Sequence, residues 1–86
     1  MLQVRAVRRL QKRLQRLMTL LVQGKVQSWE EEPSFRRVLF FAHRVSQGVV
    51  FQSQELERAL RNRDVGQALA IASTLYEKTK TYLLFS

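Results

Sequence analysis

Arg5, Arg8, Arg9, Lys12, Arg13 and Arg16 crowd into the opening stretch of the chain, Lys25 follows, and no Asp or Glu appears before Glu30. Guanidinium groups present flat forks of donors that match phosphate and carboxylate oxygens. Several of them on one surface bind a polyanion by counterion release, provided they reach its charges together. Of the formal net charge of +8, +7 lies within residues 1–29, so the rest of the chain is close to neutral. The unmixed charge makes Arg5, Arg8, Arg9, Lys12, Arg13 and Arg16 candidate polyanion-binding residues. An ordinary solvated helix face accounts for the same residues more plainly and stands beside that reading. Two refinements lack support. Trp29 is the only aromatic before Phe35, so the base-stacking platforms of single-strand binders are missing. The last third of the chain is rich in Ala, Leu and Tyr, with Lys78 and Lys80 only near its end, which does not suit a groove-reading helix.

Catalysis has less to work with. The chain has no Cys and a single His, His43, with no carboxylate close to it in sequence. Nucleophilic chemistry needs an activated Ser, Cys or Lys beside a base, so His43 reads as a half-buried residue at the edge of an apolar helix face. Zinc needs His or Cys, and hard cations need several convergent oxygens. Glu30, Glu31 and Glu32 are consecutive, so their side chains diverge, and they read as solvated charges at a helix entry. Gly24, Gly48 and Gly66 stand alone and build no phosphate loop. The chain is expected to be no enzyme, with no catalytic, cofactor-binding or metal-binding residues.

A third group of residues suits contact between proteins. Phe40 and Phe51 fall on one side of the second helical segment, opposite its core arc, if that helix is continuous. Arg36, Arg37, Arg44 and Arg58 flank them. Aromatic anchors within an Arg rim are the composition favoured at interfaces, so Phe40, Phe51, Arg37 and Arg44 are the candidate interface. The competing reading breaks the helix at Gly48 and turns Phe51 into the core. Trp29 is expected to plug the end of the bundle.

The elements that must carry these residues are helices. With 45% apolar and 26% charged residues the composition is globular, and 86 residues allow one domain, 1–86, with a small core. Val7, Leu10, Leu14, Leu17 and Leu21 alternate spacings of three and four, the a and d positions of a heptad. That register places the cations on the opposite side of a helix over about 2–23, stopped by Gly24. Residues 27–33 read as a connection in which Pro33 opens the next helix, with Ser34 as an alternative cap. Phe35, Val38, Leu39, Phe41, Ala42, Val45, Val49, Leu56 and Leu60 share one arc, which predicts a long helix over about 34–61, kinked at Gly48 if at all. Asp64 with Gln67 makes a capping box that opens a third helix over about 65–84. The short turn before it makes helices two and three an antiparallel hairpin. The expected fold is an all-α three-helix bundle, and its small core and overlong second helix favour a two-fold homodimer.

No apolar run approaches the ~20 residues that span a bilayer. The Arg-rich, acid-free start has the composition of an organellar transit peptide, but its regular leucine edge argues for a permanent element. The absence of Cys fits a reducing compartment, and the cytoplasm is the expected location. The expected function is a non-catalytic helical protein–protein interaction module, an adaptor, chaperone-like or regulatory subunit that associates with another protein or with itself. The alternative is a nucleic-acid-binding protein using the basic face of the first helix. A membrane surface ranks behind both.

Overall fold

In the computed structural model, residues 3–25 and 32–85 are described. Leu2, Trp29, Glu30 and Glu31 lie outside them, as do most of the expected connection and the proposed plugging role of Trp29. Four helices follow one another: α1 (Val4–Val22), α2 (Pro33–Ala42), α3 (Gln47–Arg61) and α4 (Val65–Leu84). The described residues contain no strand. The all-α expectation stands, while the three-helix count is corrected to four.

The leucine edge of α1 faces inward. Val7, Leu10, Leu14, Leu17 and Leu21 are all buried, joined by Ala6 on the same side. Fully burying a side chain of this kind contributes about 1.5–3 kcal/mol, so the heptad positions decide which way the helix lies. Gly24 ends α1 in the left-handed region, at φ 68°. Its N–H donates to the Leu21 carbonyl at 3.1 Å and that of Lys25 to Leu20 at 3.0 Å. These two bonds satisfy carbonyls that the helix end would otherwise leave open.

The expected long second helix is two helices, and the break is not at Gly48. Residues 43–45 form a turn, and Ser46 is extended at φ −167° and ψ 162°. Its hydroxyl oxygen accepts the N–H of Val49 at 3.2 Å, which makes Ser46 the N-cap of a new helix. Gly48 sits in the first turn of α3, where an interior helix penalty hardly applies. The apolar arc survives in two pieces: Phe35, Val38, Phe41 and Ala42 are buried on α2, and Val49, Val50, Leu56, Ala59 and Leu60 on α3. At the start of α2 the cap is Glu32, whose carboxylate accepts the Ser34 N–H at 3.1 Å, with Pro33 just inside. Ser34 itself is buried.

Asp64 caps α4 through the Gln67 N–H at 3.1 Å, as the capping-box spacing predicts. The α3–α4 turn closes on Arg63, a non-glycine residue at φ 56°. Lys78, late in α4, donates to Gln52, early in α3, so these two helices run antiparallel. The hairpin expectation therefore holds for α3 and α4.

Each helix packs on its neighbour in the chain, and α4 closes back on α1, while the backbones of α1 and α3, and of α2 and α4, stay apart. The resulting body measures 36 × 20 × 19 Å around a single core to which all four helices contribute. Buried hydroxyls are satisfied locally. Ser53 donates to the Val49 carbonyl at 2.8 Å and Thr79 to that of Tyr76 at 2.6 Å. None of the described helices is long and apolar enough to cross a membrane.

Candidate functional site

The cations of α1 stand on the side of the helix away from the leucines, and α2 packs along one flank of that side. Arg9, in the first half of α1, reaches Phe41, at the end of α2, so α2 runs back beside α1. The two helices enclose an open groove of about 810 Å³. Arg9, Lys12, Arg13, Gln15, Arg16, Thr19, Leu20 and Gln23 line it from α1, and Arg37 and Phe41, one turn apart, from α2. Among the described residues, no acidic one lines it.

Five cations thus share one groove, and no carboxylate among the described residues lines it with them. Ion pairs do form elsewhere: Arg61 with Glu57 at 3.7 Å on α3 and Lys80 with Glu77 at 3.3 Å on α4. Among the described residues, none joins an α1 or α2 cation to an acid. Cations held together in this way raise the local positive potential and attract anionic groups.

A chain of rings and guanidinium groups leads out of the groove. The Arg9 guanidinium carbon lies 5.9 Å from the centroid of the Phe41 ring. Phe41 meets Phe40 edge to face, with centroids 5.2 Å apart and planes at 83°. Arg44 then lies over Phe40 at 4.8 Å. The attraction of a cation to a ring face holds both arginines in place at about 0.5–1 kcal/mol for exposed sites. Phe41 is only 5% exposed, whereas Phe40 is 55% exposed.

The candidate residues from the sequence separate into four places. Arg9, Lys12, Arg13 and Arg16 line the groove, joined by Arg37, which the sequence grouped with Phe40 as interface. Arg5 and Arg8 are exposed on α1 and do not line it. Phe40 and Arg44 adjoin the groove through Phe41. Phe51 is elsewhere: it is 63% exposed and lines a smaller groove of about 250 Å³ between α3 and α4, together with Glu55, Arg58 and Ile71. The break at residues 43–46 did not turn Phe51 into the core. It left Phe40 on α2, packed against Phe41, and Phe51 on the α3–α4 groove.

Sequence reasoning missed Phe41 and Leu20 as groove residues, since both count as apolar positions of a core face. The signal available was the spacing of Arg37 and Phe41, four apart on α2 and therefore on one face. His43 is exposed at the end of α2 rather than half-buried. Among the described residues no cluster of His, Asp or Glu could hold a metal ion. Neither a family model, nor a curated protein, nor a solved structure matches this chain.

Proposed function

We propose that the chain is a non-catalytic helical interaction module that holds another protein through the surface formed by α1 and α2. The observation that carries this reading is the α1–α2 groove. Arg9, Lys12, Arg13, Arg16 and Arg37 surround it, Phe41 and Leu20 supply apolar lining, and among the described residues no acid lines it. Arginine around an apolar centre is the composition enriched where proteins bind one another. The lone exposed His43 and the isolated glycines add support, because they offer no constellation for acid–base, nucleophilic or phosphate-loop chemistry.

The test is isolation of the tagged full chain from its own cells, with and without nuclease, beside the charge-reversal pair Arg13→Glu and Arg37→Glu. A protein recovered in fixed proportion, resistant to nuclease and lost from the variant, is the expected result. A complex that nuclease dissolves favours the second reading, a nucleic-acid-binding protein. That reading is motivated by Arg5, Arg8, Arg9, Lys12, Arg13 and Arg16 standing together on α1 with no carboxylate paired to them among the described residues. It requires affinity to fall steeply with salt as phosphate-bound counterions are released.

Self-association belongs to the same proposal. It is motivated by Phe40 and Phe51, 55% and 63% exposed, since aromatic side chains are the anchors enriched at protein interfaces. A monomer mass at high micromolar concentration removes the homodimer and leaves the α1–α2 reading intact. A cytoplasmic setting accords with a Cys-free chain and completes the proposal.

A further inference from the structure

The α1–α2 groove also restricts what kind of protein can fill it. Arg9, Lys12, Arg13 and Arg16 run along the first two-thirds of α1 with Arg37 contributed from α2, while Leu20 lies further along α1 and Phe41 stands in the α2 wall. A matching surface must therefore be acidic along most of its length and apolar where it meets Leu20. We infer that the groove takes an acidic amphipathic helix from a partner protein, with one carboxylate per turn set against the cations. This rests on the interaction reading above and names the class of partner.

Spacing decides between a helix and an extended segment. Arg9 to Arg16 spans seven residues of α1, or about 10.5 Å at ~1.5 Å per residue. Two turns of a partner helix cover about 10.8 Å and keep step with those cations. Two side-chain repeats of an extended strand cover about 13 Å and fall out of step within the groove. An amphipathic helix laid into a groove between two others is also a recurring way for helical surfaces to recognise partners. Arginine adds the bidentate geometry that strengthens pairing with carboxylates.

The same features disfavour a nucleic-acid strand in this groove. Single strands gain affinity by stacking bases on exposed rings. Phe41 is 5% exposed and already has Arg9 over it, so it offers no free face. Phosphate oxygens gain nothing from Leu20, whereas an apolar side chain of a helix does.

The experiment is fluorescence anisotropy on the full chain at two salt concentrations. The probe is a synthetic peptide about four turns long, ~14 residues, carrying Glu and Leu on one helical face. Its scrambled isomer and short single-stranded and duplex DNA of equal charge are the comparisons. The ordered peptide is expected to bind at least about tenfold more tightly than any of them, equivalent to about 1.4 kcal/mol. Its helicity should rise on mixing. Arg13→Glu with Arg37→Glu should erase the preference, whereas Arg5→Glu with Arg8→Glu, outside the groove, should change affinity by less than about twofold, under 0.5 kcal/mol. Should Arg13→Glu with Arg37→Glu lose helicity, Lys12→Glu with Arg16→Glu serves in its place. Equal binding of the scrambled peptide, tighter binding of either DNA, or equal damage from the Arg5 and Arg8 changes overturns the inference. If no probe binds while the nuclease-resistant protein complex persists, the helix inference falls and the interaction reading survives.

Discussion

Arg9 and Phe41, on different helices, meet with the guanidinium carbon 5.9 Å from the ring centroid, and this contact ties the first half of α1 to the end of α2. It also sets the groove's charge beside its apolar wall. A cation over a ring at a partly exposed site contributes about 0.5–1 kcal/mol. Arg9→Ala should therefore lower unfolding stability by about that much. In a double-mutant cycle with Phe41→Leu the coupling should be of similar size, read from urea denaturation of the four proteins. Additive losses would show that the two side chains are neighbours without interaction.

Removing a leucine from the seam tests the inward-facing edge of α1. Leu14 is completely buried. Leu14→Ala should cost about 2–5 kcal/mol through lost burial and the cavity left behind. A loss near 1 kcal/mol or less would place Leu14 in a site that collapses freely or is wet. Amide exchange gives an independent reading, since residues 7–21 should be protected in the isolated chain.

The position of the break between α2 and α3 can be checked at two residues. Ser46→Ala removes the hydroxyl that accepts the Val49 N–H and should destabilise by about 1 kcal/mol. Gly48→Ala should be neutral or stabilising by up to about 0.4–1 kcal/mol, through the smaller conformational freedom of the unfolded chain. An added methyl at Gly48 would meet nothing closer than the Ser46 hydroxyl at 3.9 Å and the Lys78 ammonium at 4.0 Å. A hinge that needed glycine at 48 would reverse this order in thermal melts.

The two left-handed residues should respond oppositely. Arg63 holds φ 56° without the freedom of glycine, so Arg63→Gly should raise stability by about 1 kcal/mol. Gly24, at φ 68°, has open space around it, so Gly24→Ala should lose about as much through backbone strain alone. Chemical denaturation of both variants checks the pair, and a loss on Arg63→Gly would contradict it.

Phe40→Ser and Phe51→Ser test the separation of the exposed rings. Phe51 lines the α3–α4 groove whereas Phe40 packs on Phe41 of α2, so their effects on self-association should be independent, with helicity unchanged. Sedimentation velocity of the single and double variants measures this. Full loss from either single change, with no further loss in the double, would mean that one interface spans both.

Much of the architecture was legible from spacing alone. The seam from Val7 to Leu21, the stop at Gly24 and the cap at Asp64 follow from local rules, because each depends on residues within a turn or two. The four-helix count was less legible. Phe35 through Leu60 keep one apolar arc across the break, and hydrophobic period alone cannot distinguish one long helix from two that bury the same stripe. Ser46 carried the local signal, since a serine caps a new helix by accepting a backbone N–H two or three residues on, here that of Val49.

Sequence by itself determined the helical class, the inward leucine edge and the concentration of positive charge on α1, because periodicity and net charge are properties of the chain. Tertiary packing alone decided which cations act together. Arg37 joins Arg9, Lys12, Arg13 and Arg16 only because α2 folds back along α1, and Arg5 and Arg8 fall outside for the same reason. Packing likewise sent Phe40 and Phe51 to different surfaces, since a four-residue turn lets α2 and α3 take independent directions. A groove exists only between two elements, and its lining depends on their relative placement, which no spacing within either one contains.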